Sequence, residues 1–244
     1  MKAEYEQKGY GGRFGPGLPR VSDGALLFLL HLVSKMRPAA DGGSRIGIVL
    51  NGSPLFTGDA GSGESEIRRY LLEHDLVEAI IALPNDLFYN TGIATYVWIL
   101  DNTKKLARKG KVQLIDASRM YAKMKKSLGS KRVEMTDEQI DEIAQVTTPS
   151  AARTCHSRLE FKDGKENAGA EPRVVSKVFP NEFFGYRKVT VDRPIAEGRT
   201  VKAKPKKGEK PYDPDLRDTE NIPLTEHIAD YMVREVLPHV PDAW

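Results

Sequence analysis

Four short apolar runs constrain the fold of this chain more than any other feature. They are rich in β-branched and aromatic residues and cover residues 45–50, 76–83, 93–100 and 112–117. Runs of this length without polar alternation are typical of strands buried on both faces of a sheet. Helical patterns at residues 25–37 and 64–74 precede the first two runs. The order helix–strand–helix–strand–strand–strand predicts an α/β sheet that is mostly parallel, with one antiparallel strand at its end.

The remaining segments show weaker patterns. Residues 1–20 are rich in Gly and Pro and predict an extended arm. The helix at 25–37 is apolar almost all the way round, which predicts that it is buried. Beyond residue 132 we expect a partly disordered extension. It has a short helix at 138–146, loop or disorder at 147–172, a strand or hairpin at 183–191, a linker at 194–214 and a helix at 225–237. The predicted divisions are therefore 1–20, 21–132 and 133–244.

Composition excludes several classes of protein. With 40% apolar and 29% charged residues, the chain is neither globally disordered nor fibrous. No apolar run approaches the roughly 18 residues of a membrane span, and the N-terminus has no signal-peptide core. One cysteine, Cys155, excludes a disulfide framework, and the five scattered histidines have no metal-ligand spacing. We expect a soluble, cytoplasmic protein without a metal site.

The net charge of +3 is unevenly distributed. Residues 104–132 hold eleven Lys or Arg and one acid, Asp116, and a second basic run spans 202–210. Basic clusters of this kind favour contact with phosphate backbones. A solvated surface or a charged linker explains the same charges equally well.

Two polar loops are candidates for ligand binding. Residues 58–63 (Gly-Asp-Ala-Gly-Ser-Gly) precede a helix but lack the Gly-Lys-Ser/Thr ending of a phosphate loop. A loop capped by Ser62 or Ser65 is the favoured interpretation. Residues 51–54 (Asn-Gly-Ser-Pro) follow the first strand, where open α/β sheets bind ligands, although Asn-Gly is also an ordinary turn pair.

Several long, ordered blocks carry a family resemblance. They span residues 12–32, 45–56, 61–72, 82–100, 115–118, 183–194 and 216–244. Through these blocks the chain closely resembles the methylation subunit of type I restriction-modification systems, an S-adenosylmethionine-dependent DNA adenine-N6 methyltransferase. The resemblance implies that 21–132 form the second half of a Rossmann-like methyltransferase sheet. An irregular basic C-terminal extension follows.

Two motifs of that family do not occur in the sequence. Family members have a Gly-rich loop after the first strand, which binds the methyl donor, and an Asn-Pro-Pro-Phe/Tyr loop, which holds the target amino group. No such Gly-rich loop follows a strand here, and Asn-Pro-Pro is absent. The resemblance therefore implies a C-terminal fragment that lacks its catalytic motif and is inactive alone. The resemblance implies S-adenosylmethionine as the cofactor, but the main loop that binds it in the family is absent from this sequence.

The resemblance also implies site residues and partners. Phe88 matches the family position whose aromatic ring stacks on the adenine flipped out of the duplex, with Tyr89 as the second choice and a plain core aromatic as the alternative. The expected contacts with DNA or the specificity subunit are Lys104, Lys105, Arg108, Lys109, Lys123, Lys125 and Lys126. The implied partners are DNA, the specificity and restriction subunits and a second methylation subunit.

Two non-catalytic functions are also compatible with the sequence. In the first, the chain is one half of a split methyltransferase. In the second, it is a module that docks on the specificity subunit. An unrelated nucleotide-binding α/β protein is disfavoured because the sequence lacks a phosphate loop.

Overall fold

The computed structural model describes residues 1–147, 155–157, 161–162, 165–166, 173–196, 199, 201 and 210–244. These residues form two compact units, Met1–Asn181 and Glu182–Trp244. No helix among them is long and apolar enough to cross a membrane. The same residues contain no group of three His, Cys, Asp or Glu side chains that could hold a metal ion.

The first unit is built around a six-stranded sheet. Its strands are β1 (Arg45–Asn51), β2 (Val77–Ala82), β3 (Thr95–Asp101), β4 (Lys111–Asp116), β7 (Cys155–Ser157) and β10 (Arg173–Pro180). The helices of this unit are α1 (Lys2–Lys8), α2 (Ala25–Val33), α3 (Ser53–Phe56), α4 (Gly63–Glu73) and α5 (Asp137–Thr147). The predicted α/β class is confirmed, and the four apolar runs all form strands of one sheet.

The position of the antiparallel strand differs from the prediction. The sheet runs β1-β3-β2-β4-β10-β7, so that β3 lies between β1 and β2 and is antiparallel to both, while β2 and β4 are parallel. The prediction of an antiparallel strand at the end of the sheet is therefore wrong for β3. The crossover through α3 and α4 carries the chain past one strand position, which β3 then fills. Hydrophobic periodicity contains no information about strand order.

Helices α2 and α5 pack against different strands of the sheet. Helix α2 contacts β1 and buries Leu26, Leu29 and Leu30. Ile143 and Val146 of α5 pack against a core cluster on the sheet face that includes Ile81 and Ile115. Gln113 of β4 ties α5 to this face by donating to the carbonyl of Val146 at 2.8 Å.

Two predictions of full burial are wrong. Strand β1 forms an edge of the sheet among the described residues, and Val49 on it is 46% exposed. Helix α2 ends at Val33 and leaves Phe28 70% exposed. Strand β1 has a single neighbouring strand in the described chain, and α2 contacts this edge strand. Fewer elements surround a side chain there than at the centre of the sheet, so apolar residues of β1 and α2 remain exposed.

The N-terminal segment is not an extended arm. Residues 2–8 form α1, a 3-10 turn follows at Gly9–Gly11, and Phe14 is buried. The Arg13 guanidinium donates hydrogen bonds to the Glu4 carboxylate. The amide of Arg20 donates to the Glu64 carboxylate at 2.9 Å. The Gly-rich part therefore packs closely against the rest of the unit.

The region after β4 contains a hairpin that the sequence did not predict. Strands β5 (Ala122–Leu128) and β6 (Lys131–Glu134) pair antiparallel. Within 147–172, where loop or disorder was expected, the described residues also include β8 (Phe161–Lys162) and β9 (Lys165–Glu166). The other residues of that stretch, apart from Thr147 and β7, lie outside the described part.

The second unit is small and held by a strand pair and ion pairs. Strands β11 (Tyr186–Val191) and β12 (Asp218–Pro223) pair antiparallel, and α6 (Ile228–Tyr231) continues into a π-helical segment, Met232–Val236. Arg217 forms an ion pair with Asp192, and Arg193 with Asp242. The expected strand at 183–191 and the expected helix at 225–237 are present in shortened form. The expected linker at 194–214 lies mostly outside the described residues.

Candidate nucleic-acid interface

An aromatic loop, residues 84–92, follows the carboxyl end of β2. Ligands of open α/β sheets bind at the carboxyl ends of parallel strands. The loop is a tight structure in which Phe88 pairs with Thr91 in an isolated bridge and Asp86 adopts a φ of 57°. The backbone of the loop therefore has a defined conformation, which fixes the directions of its side chains.

The two candidate aromatics of this loop have different environments. Phe88 is partly buried and packs against the core cluster formed with Ile81 and Ile115. Tyr89 is 63% exposed, and the Lys131 ammonium lies 5.2 Å from its ring centroid. The ring of Tyr89 is therefore the one open to a ligand in this conformation, whereas Phe88 has the environment of a core aromatic.

The β5–β6 hairpin is attached to the aromatic loop by backbone hydrogen bonds. The amide of Ser130 donates to the carbonyl of Tyr89 at 2.9 Å. The amides of Arg132 and Val133 donate to the carbonyl of Asp86 at 2.9 and 3.3 Å. The loop and the hairpin consequently form one structural piece.

Gly129 permits this close approach. Its φ is +63°, and a Cβ placed on it would lie 2.6 Å from the carbonyl oxygen of Tyr89. Both the left-handed backbone and the short distance require a residue without a side chain.

Burial removes Lys104 and Arg108 from the expected contact residues. The Lys104 ammonium donates to the Asp75 carboxylate at 2.6 Å and to the carbonyl of Lys111 at 3.0 Å. Arg108 is 1% exposed, and its guanidinium donates to the carbonyl of Glu78 at 3.2 Å. Burial lowers the pKa of Arg108 from its ordinary value, while the nearby Glu78 carboxylate acts in the opposite direction. Neither cation faces a ligand, because both are enclosed between β2, β4 and the segment that joins β3 to β4.

The exposed members of the expected set lie at opposite ends of the sheet. Lys105 and Lys109 precede the amino end of β4, whereas Lys123, Lys125 and Lys126 lie on the hairpin after its carboxyl end. Because β2 and β4 are parallel, only the hairpin lysines share an end of the sheet with the aromatic loop. The sequence cluster is therefore two separate surfaces.

A pocket of about 470 Å³ lies where the hairpin meets the aromatic loop. Its lining contains two cations, one acid, two hydroxyl groups and two apolar side chains: Lys123, Arg132, Asp86, Tyr121, Ser127, Met124 and Val133. The only sequence signal for this pocket is the basic stretch between Asp116 and Glu134, which contains no Asp or Glu.

The polar loops near β1 do not fit a methyl donor. A Cβ on Gly52 would lie 3.0 Å from the ring of Phe56 and 3.3 Å from the ring of Tyr96, so the space after β1 is filled. Arg68 occupies the concave side of the next loop by donating to carbonyls of Pro54, Thr57 and Gly58. Ser62 caps α4 by accepting from the amide of Ser65, as expected for a capped loop. These residues offer no cradle for S-adenosylmethionine.

Comparisons with known proteins identify the family. The family model N-6 DNA Methylase matches residues 3–164. The MjaVII type I restriction enzyme methylase subunit of Methanocaldococcus jannaschii is 40% identical over 102 residues, which are 42% of this chain and 17% of that protein. The HindI methylase subunit of Haemophilus influenzae is 33% identical over 174 residues, or 70% of this chain and 34% of that protein.

A solved type I methyltransferase subunit from Streptococcus thermophilus is 32% identical, with a TM-score of 0.49, over 60% of this chain and 28% of that one. The chain thus spans between 17% and 34% of the length of the two curated relatives described above. Because the family model matches well over half of its residues, the chain belongs to the N-6 DNA methylase family.

Proposed function

We propose that this chain is the target-base side of an adenine-N6 DNA methyltransferase subunit from a type I restriction-modification system. The observation that carries the proposal is the aromatic loop at the carboxyl end of β2, joined to a cationic hairpin within the residues that match the family. An aromatic ring beside several cations is suited to a nucleotide, because bases stack and phosphates need positive charge.

The proposed role of the loop is to hold the adenine outside the duplex. A methyltransferase cannot reach the amino group of a base inside the helix, so the base must be extruded and its lost stacking replaced. Tyr89 offers an exposed face for this, and Phe88 requires a movement out of the core cluster to do the same. The hairpin cations then hold the strand.

Methyl transfer needs groups that this chain does not supply. S-adenosylmethionine supplies the methyl group in the family, and neither loop near β1 fits it. We therefore expect the donor site and the clamp on the amino group to come from a polypeptide with the Gly-rich and Asn-Pro-Pro motifs. The specificity subunit, the restriction subunit and a second methylation subunit are the proposed protein partners.

Reconstitution tests the proposal. The chain is co-expressed with the N-terminal region of a type I methylase subunit and its specificity subunit, and transfer of labelled methyl groups to adenine is measured. We expect activity from the mixture and none from the chain alone. Activity of the purified chain alone would show that a donor site exists within it, and an inactive but assembled mixture would contradict the proposal.

Substitutions of Tyr89 and Phe88 show which of the two rings stacks on the adenine. In the reconstituted enzyme Tyr89→Leu is expected to reduce kcat/KM by roughly 5- to 150-fold, since base stacking is worth about 1–3 kcal/mol. Phe88→Leu should act mainly through stability, because the ring lies in the core cluster. A large loss of kcat/KM in Phe88→Leu at unchanged stability would assign the role to Phe88 instead.

A non-catalytic docking module is the second candidate. The unpaired edge of β1 among the described residues and the exposure of Val49 favour it. If the chain binds the specificity subunit tightly but never restores methyl transfer with any N-terminal region, the docking function replaces the catalytic one.

A further inference from the structure

We infer that the pocket between the aromatic loop and the hairpin binds a backbone phosphate of the DNA strand, with Arg132 and Lys123 as its cations. This inference rests on the proposed function and adds to it a specific phosphate site. The lining residues come from both pieces of the interface, since Asp86 belongs to the loop and the cations to the hairpin.

The hairpin opens at the pocket because its register changes there. Lys123 pairs with Val133 and Leu128 with Lys131, so residues 124–127 on β5 face only Arg132 on β6. The surplus residues widen the hairpin at this point. The resulting cavity of about 470 Å³ is large enough for a phosphate group and its sugar.

Arg132 is fixed at its backbone and free at its side chain. Its amide donates to the carbonyl of Asp86 at 2.9 Å, which anchors the residue beside the loop. Its exposed guanidinium forms no hydrogen bond or ion pair within the described residues. A planar guanidinium without a partner is the side chain that binds phosphate oxygens in a bidentate manner.

The charge around the pocket is positive. Two cations and one carboxylate line it, and Lys125 and Lys126 are exposed on the same strand. The sequence between Asp116 and Glu134 contributes no Asp or Glu to this part of the molecule. The pocket therefore attracts an anion, and Asp86 limits how many phosphate oxygens can enter.

The neighbouring aromatic selects DNA over an acidic protein surface. Tyr89 lies on the same loop as Asp86, exposes its ring, and has Lys131 over one face. A nucleotide requires both a cation for its phosphate and an aromatic face for its base, whereas an acidic protein surface requires only the cations.

Binding of a fluorescent DNA duplex to the full chain tests the site, with anisotropy measured over a range of salt concentrations. Lys123→Gln with Arg132→Gln removes the pocket cations. The matched control, Lys35→Gln with Arg37→Gln, removes one exposed Lys and one exposed Arg near the amino end of β1, at the opposite end of the sheet. We expect at least a tenfold loss of affinity and a salt slope smaller by about one for the pocket variant, since each phosphate contact contributes roughly 0.9. The control should stay within about twofold.

A conservative variant separates the site from general charge. Arg132→Lys keeps the charge and loses the bidentate geometry, so we expect an intermediate loss of about three- to tenfold. Equal losses in the pocket variant and the control would overturn the inference, as would wild-type chain that fails to bind DNA. Binding of poly-glutamate in place of DNA, lost in the pocket variant, would assign the site to an acidic protein partner and also overturn it.

The outcomes distinguish this inference from the proposed function. Reconstituted methyl transfer that the pocket variant leaves unchanged would overturn the phosphate site alone. DNA binding that depends on the pocket, in a chain that never restores methyl transfer, would overturn the proposed function and leave the phosphate site standing. Urea unfolding of each variant shows that the changes are not due to misfolding.

Discussion

The ion pair between Asp75 and Lys104 shows how single residues in the basic run support the fold. Lys104 is almost completely buried, and its ammonium lies 2.6 Å from the Asp75 carboxylate. Burial acts to raise the pKa of Asp75, but hydrogen bonds from Lys104, Gly110 and Asn181 outweigh it and keep the pKa below its ordinary value. The pair and its hydrogen bonds therefore link the start of β2 to the amino end of β4 and the carboxyl end of β10.

At this residue scale we predict that Asp75→Asn destabilises the protein by about 3 kcal/mol at neutral pH, because it leaves a buried ammonium unpaired. A carboxyl group with a lowered folded-state pKa stabilises the fold above its unfolded pKa of about 3.9, and this contribution is lost as the pH falls through the folded value. Urea unfolding between pH 7 and pH 3 measures both effects. The variant should lose the acid-dependent part.

The exposed acid Asp41 provides the control. Asp41→Asn should change the unfolding free energy by less than about 0.5 kcal/mol. A similar effect of the two substitutions would show that the Asp75 pair contributes nothing specific.

Among the elements, the hairpin formed by β5 and β6 depends on its contact with the aromatic loop. We predict that Gly129→Ala costs about 2–4 kcal/mol, which combines the left-handed backbone strain with the overlap against the carbonyl of Tyr89. Urea unfolding measures the loss, and hydrogen exchange at the amide of Ser130 reports whether the hairpin detaches from the loop.

Gly110 is a matched control because its φ is +67° and no atom lies within 4 Å of an added Cβ. Gly110→Ala should cost only the backbone strain, about 1–2 kcal/mol, and leave the exchange of Ser130 unchanged. Equal costs at the two glycines would mean that the close approach of the hairpin is not under steric constraint.

At the scale of the whole molecule, the first unit has an unpaired sheet edge at β1 within the described chain. Exposed edges with apolar side chains pair with other chains. We predict that the chain self-associates with rising concentration and that Val49→Lys reduces this association severalfold, as measured by sedimentation velocity. Leu106→Lys adds the same charge at an exposed apolar residue outside the sheet and should have little effect. If both substitutions reduce the association equally, the effect comes from the added charge and not from the edge of β1.

Elements with a local residue pattern were predictable from the sequence. The four apolar runs became β1, β2, β3 and β4, the helical patterns became α2, α4 and α5, and the ordered blocks indicated the family. These predictions succeeded because periodicity and capping act over a few neighbouring residues.

Contacts between residues distant in the chain became known from the three-dimensional fold. It placed β3 inside the sheet, buried Lys104 and Arg108, and separated Lys105 and Lys109 from the hairpin lysines. It also attached the hairpin to the aromatic loop, which left Tyr89 exposed and Phe88 in the core. Strand order and burial depend on contacts between residues far apart in the chain, and a one-dimensional pattern of polar and apolar residues does not contain those contacts.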